Sequence, residues 1–157
     1  MDFRLEQRFA VPLAVVEAAL LDPDFAAGLA TRPQLLSEER DGTLLRRRVR
    51  HVFTGQLSPA VTAVVDPAKL TWVDVGEHDL ARHRSRHHIE PDHYRSRLTC
   101  EYETVLSEDG DGTVRLVVGR LRVHMPLVGG RVERAVVSGL ADHAEREEAS
   151  LAAWLAS

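Results

Sequence analysis

Met125-Pro126-Leu127-Val128-Gly129-Gly130, followed by the run from Arg131 to about Ala156, reads as a sharp turn feeding one long amphipathic helix. At about 1.5 Å per residue that helix is roughly 39 Å long. Wound at about 100° per residue, it places Val132, Val136, Gly139, Leu140, Leu151 and Trp154 on one stripe. Arg134, Ser138, Ala141, Asp142, Glu145 and Ala149 fall opposite. His143 and Glu147 interrupt the apolar stripe, one turn apart. A buried face with a polar pair at its centre implies a helix that covers something other than a dry core.

Upstream of this helix the pattern is mostly that of strands. Phe3, Leu5 and Phe9 alternate with Arg4, Glu6 and Arg8, the signature of a half-buried strand, and Gln7 is the one polar member of the inner face. Pro12 suits the start of a helix over Leu13–Leu21, which Asp22-Pro23 stops. A second short helix is expected over Phe25–Ala30. Leu35–Arg40 then meets Asp41-Gly42, a strong hairpin signal, and Thr43–Thr54 returns with Leu45, Val49 and Phe53 in alternate positions. Ala60–Val65 reads as a turn of helix between two prolines. Leu70–Leu80 is a strand carrying Trp72, and its parity leaves both faces open to that residue.

Pro91-Asp92-His93 reads as a turn and Tyr94–Leu106 as a long strand whose even positions, including Leu98, Cys100 and Tyr102, are buried. Glu108–Gly112 reads as a loop, after which Thr113–Met125 pairs back. With Leu106 opposite Thr113, Cys100 faces Gly119 and Leu98 faces Leu121. The inner face of the last strand is then Val117, Gly119, Leu121, Val123 and Met125. The same arithmetic puts His87 and Ile89 inside. The order is one strand, two short helices, about six more antiparallel strands and the long helix: an α+β domain over residues 1–157, with a curved sheet of about seven strands gripping the C-terminal helix.

Bulk properties narrow the functions. A chain of 157 residues buries a core without help from disulfides or metals. A net charge of −4 argues against nucleic-acid partners. No apolar run is long enough to span a bilayer, so no integral membrane association is expected. The single cysteine, Cys100, suits a reducing compartment, and a cytoplasmic location is expected.

The element order resembles the helix-grip fold of the START-like superfamily, also called SRPBCC or Bet v 1-like, over essentially the whole chain. Glu90-Pro91-Asp92-His93-Tyr94 and Pro126-Leu127-Val128-Gly129-Gly130-Arg131-Val132-Glu133-Arg134 are similar to a bacterial family of uncharacterised START-like proteins. The resemblance implies a cavity between sheet and helix for a lipid or other apolar molecule. It carries over no catalytic residue, although some superfamily members are cyclases, dehydratases or hydrolases.

The expected cavity walls are Phe53, Tyr102, Leu121 and Met125, with Trp72 if it faces inward, and His143 and Glu147 supply oriented polar contacts. Binding without conversion is the expected function. The alternative is an enzyme of the kinds above with His143 and Glu147 as acid and base. Neither cofactor nor metal is expected. His78, His83, His87, His88 and His93 invite a metal reading, but histidines four apart on one strand lie about 13 Å from each other. Only a turn at residues 82–85 brings His78 and His88 together, and a solvated strand end is the simpler expectation. Rows such as Arg46, Arg48 and Arg50 each occupy one strand face, with glutamates at 38, 39, 101 and 103 available to offset them.

Overall fold

The computed structural model describes residues 1–157. Strand β1 (Asp2–Phe9) is followed by helices α1 (Leu13–Leu20) and α2 (Pro23–Gly28), then β2 (Gln34–Asp41) and β3 (Leu44–Val52). A short helix α3 (Pro59–Thr62) leads to β4 (Thr71–Asp79), β5 (Arg84–Pro91), β6 (Leu98–Asp109) and β7 (Gly112–Val123), and α4 (Gly129–Ala156) closes the chain. The seven strands form one antiparallel sheet in the order β1-β7-β6-β5-β4-β3-β2. Every neighbour except β1–β7 is a sequence neighbour, so the sheet is an open meander with its first strand added at the β7 edge.

Local chemistry explains the breaks. Asp22 caps α2 through its side chain on the Asp24 N–H, at 2.8 Å, and Pro23 occupies the first turn. The β6–β7 hairpin turns on Gly110-Asp111, with Gly110 at φ 59°, a conformation that favours glycine. This turn is tighter than the expected loop, so the strands pair further toward it. Glu108 faces Thr113, Cys100 faces Leu121 and Leu98 faces Val123. A slip of two leaves every side chain on its expected face. Tyr94, at φ 57°, accepts turn hydrogen bonds from the N–H groups of Arg97 and Leu98, and β6 therefore begins at Leu98 rather than Tyr94.

Two separate cores hold α4 against the sheet. At its N-terminal end Val132 and Val136 pack with Phe3, Val61, Val65, Leu70, Cys100, Val117, Leu121 and Val123. At its C-terminal end Leu151 packs with Phe9, Val16, Ala19, Phe25 and Leu29. Trp154 lies at the edge of the stripe, against Phe25, with ring centroids 5.6 Å apart. Leu155 completes the second core instead. Between Gly139 and Leu151 no α4 residue is fully buried. The helix is fastened at both ends and bridges a hollow in between.

On the outer sheet face the arginine rows are paired across strands: Arg46 with Glu77, Arg48 with Glu90, Arg50 with Asp92 and Arg86 with Glu103. Of the four glutamates expected to offset them, only Glu103 serves these pairs. No helix is long and apolar enough to cross a membrane.

Candidate functional site

The hollow beneath α4 is a cavity of about 450 Å³. Its apolar lining includes Phe53, Trp72, Ile89, Leu121, Val136 and Leu140. Six of the seven expected site residues line it: Phe53, Trp72, Tyr102, Leu121, His143 and Glu147. Met125 does not; it packs on the first core, beyond the end of β7. Trp72 faces inward and stacks on His51, with centroids 5.9 Å apart and planes 20° apart. The long α4 approaches closely through Gly139, where a Cβ would come within 2.7 Å of the Phe53 ring.

His143 and Glu147 meet more weakly than an acid–base pair requires. His143 Nε2 is 3.8 Å from Glu147 Oε2. Glu147 is engaged elsewhere: Arg115 donates to it at 2.9 Å and Gln7 at 3.1 Å. Gln7 also donates to the Ala144 carbonyl and accepts from Arg115, at 2.8 and 3.0 Å, so β1, β7 and α4 are tied at one point. Burial alone would raise the Glu147 carboxyl, but Arg115, His143 and Gln7 outweigh it and hold it below its ordinary value.

A second polar group lies on the cavity floor, and sequence reasoning missed most of it. Asp74, Gly76 and His78 of β4 face inward, as do Ser85 and His87 of β5 and Tyr102 and Thr104 of β6. Register brings them together: His87 lies directly between Gly76 and Tyr102, and Ser85 between His78 and Thr104. His87 Nδ1 is 2.7 Å from Asp74 Oδ1, and Ser85 Oγ is 2.7 Å from His87 Nε2. Tyr102 donates to the other Asp74 oxygen, and Ser85 and Thr104 hydroxyls bond to one another.

Their environments set their protonation. Burial would raise the Asp74 carboxyl, but His87 and Tyr102 hydrogen bonds hold it below its ordinary value. Burial and the Asp74 charge push the Tyr102 phenol well up, so it stays a neutral donor. His78 meets His87 edge to face, at 5.1 Å between centroids. Burial, then the charges of His87, Arg47 and Arg115, lower His78 to about 3. The β4–β5 turn at residues 80–83 thus joins His78 to His87, not to His88, and inside rather than at a solvated end. No group of three or more His, Cys, Asp or Glu side chains is arranged to hold a metal ion. Cys100 is buried, and burial pushes its thiol up to about 12, which leaves it unreactive.

The signal that finds the remaining lining residues is parity. Once Leu45, Val49 and Phe53 face inward, Arg47 and His51 must as well, and both line the cavity. The even residues of β4 follow only from the β3–β4 register, which sets Trp72, Asp74 and Gly76 opposite His51, Val49 and Arg47, and Arg115 shares the parity of Val117 and Leu121.

Comparison with known proteins gives this architecture a family. A family model described as "Protein of unknown function (DUF2505)" matches residues 4–155. The chain belongs to that family. Among curated proteins, none matches it in sequence. Solved structures do match in fold. TTHA0849 from Thermus thermophilus superposes with a TM-score of 0.69 at 19% identity, covering 100% of this chain and 99% of that one. Ara h 8.0201 gives 0.60 at 15% identity, with 100% and 99% covered. The Zhui aromatase/cyclase from Streptomyces sp. R1128 gives 0.59 at 14% identity, with 97% and 88% covered. At these identities the likeness is one of fold: a curved antiparallel sheet gripping a long C-terminal helix.

Proposed function

We propose that this DUF2505 chain binds a lipid or other hydrophobic small molecule between its sheet and α4, in the cytoplasm. The observation that carries the reading is the bridged hollow: α4 is fastened by two dry cores and leaves about 450 Å³ unfilled between them. Well-packed interiors hold few voids larger than a water molecule, and a hollow this size falls within the range of small-molecule pockets. Phe53, Trp72, Leu121 and Leu140 would supply apolar contact, at roughly 25 cal/mol per Å² removed from water before association costs. His51, His143 and Arg115 would meet a polar end.

Titration with anilinonaphthalene sulfonate, and displacement of that dye by long-chain fatty acids, tests the reading. Saturable binding is expected, weakened about tenfold or more by Leu140→Trp, which fills the hollow. A folded chain that binds neither dye nor fatty acid overturns it.

One observation favours the second reading, that of an enzyme. It is not the His143–Glu147 pair, whose carboxylate is engaged by Arg115 and Gln7. It is the oriented line of Asp74, His87 and Ser85 in the cavity floor. The similar fold of an aromatase/cyclase is consistent with chemistry in such a cavity.

A further inference from the structure

We propose that Ser85, His87 and Asp74 form a nucleophilic triad that cleaves an ester or thioester whose acyl chain lies in the cavity. The acyl-chain assignment rests on the binding reading above; the triad itself does not. Both hydrogen bonds of the line, Ser85 Oγ to His87 Nε2 and His87 Nδ1 to Asp74 Oδ1, measure 2.7 Å. Each lies within the reach that a nucleophile, its base and the group orienting that base require. The arrangement is recognised by geometry and roles rather than by fold or chain order. Here all three groups come from one hairpin, with Asp74 on β4 and Ser85 and His87 two residues apart on β5.

The ring of His87 is held from several sides. Tyr102 stacks face to face on it, with centroids 4.4 Å apart and planes 4° apart. Gly76 leaves the space opposite, since a Cβ there would come within 2.8 Å of the ring. The side chains of His87 and Asp74 are 8% and 10% exposed, and Ser85 is 5% exposed. Facing an ionised carboxylate, Nδ1 carries the ring proton, and Nε2 presents its lone pair to the serine hydroxyl. A line of polar groups contributes little to stability that apolar side chains would not. This one ends on a hydroxyl at the cavity wall.

The chemistry balances without a cofactor. Ser85 Oγ bonds to the acyl carbon as its proton passes to His87 Nε2, and Asp74 stabilises the imidazolium. The bond to the leaving oxygen or sulfur breaks as His87 returns that proton to the departing alcohol or thiol. Water then attacks the acyl-serine through the same base, releasing the acid and restoring Ser85. The Thr104 hydroxyl, already bonded to Ser85 Oγ, supplies a donor at the reacting centre.

The test treats the purified full chain with a long-chain alkyl fluorophosphonate and maps the adduct by mass spectrometry. One adduct on Ser85 is expected, with loss of fluoride, along with a burst of one nitrophenolate per chain from a long-chain nitrophenyl ester. Ser85→Ala abolishes both, and Asp74→Asn slows them by about 10⁴-fold. If Ser85→Ala does not fold, Ser85→Cys keeps a nucleophile, and its alkylation by iodoacetamide should slow in the His87→Ala background. Failure to label Ser85 while the reagent displaces dye from the cavity overturns the triad and leaves binding intact. Labelling that persists in His87→Ala overturns it too. Labelling by diisopropyl fluorophosphate but not by the long-chain reagent keeps the triad and removes the acyl-chain assignment.

Discussion

Gly76 is where a single methyl group has most effect. Its neighbour His87 cannot swing aside, because Asp74, Ser85 and Tyr102 all hold it. Gly76→Ala is therefore expected to destabilise the fold by about 1–3 kcal/mol, as overpacking does, measured by urea unfolding. His78 gives a pH dependence. Unfolded, it takes a proton near 6.5; folded, it does not until about 3. Between those values the unfolded chain binds more protons, so stability falls as pH drops through that window. His78→Gln should give a shallower slope over the same range, read from denaturation midpoints at a series of pH values. Arg115 tests the tie beneath α4. Removing it leaves the Glu147 carboxylate uncompensated, and Arg115→Ala should cost about 3 kcal/mol. Arg115→Met with Glu147→Leu, which removes both charges, should cost much less. At this scale the sequence shows Gln7, His143 and Glu147 facing inward, because each interrupts a clear apolar pattern, and His87, because pairing through the turn sets it opposite the buried face of β6. It hides Asp74, because β4 carries too few large apolar residues for parity to declare a face, and it gives no sign that Ser85, on the face of His87, bonds to that ring.

At the scale of elements, α4 behaves as a beam with two bearings. Leu151 is fully buried in the C-terminal one, and Leu151→Ala should cost about 2–5 kcal/mol. Trp154, 36% exposed, should cost less on truncation although it is the larger side chain. Differential unfolding of the two variants checks the ranking. The helix is legible because its apolar stripe is long and regular, and the strands because period-two patterns survive a register error of two. Tyr94 reads as strand because its parity matches β6. What parity cannot show is a backbone turned to φ 57°. Trp154 falls on the stripe by its angle on the wheel, but at the last turn the chain meets α2 rather than the sheet, and Leu155 takes the inner place.

Over the whole molecule, charge is sorted by face. On the outer face Arg46, Arg48 and Arg50 are paired with carboxylates of neighbouring strands, whereas on the inner face Asp74, His87 and Ser85, and separately Gln7, Arg115 and Glu147, hydrogen-bond to one another around an apolar hollow. Nothing about strand period or helix wheel gives a cavity its volume; that follows from where glycines let elements approach and where two separate cores hold them apart. Native mass spectrometry of the protein isolated from its own host tests this arrangement most directly. The account predicts a bound apolar molecule of defined mass, released on denaturation and absent from Leu140→Trp. A chain that flies only at its bare mass, and whose dye binding Leu140→Trp leaves untouched, would contradict it.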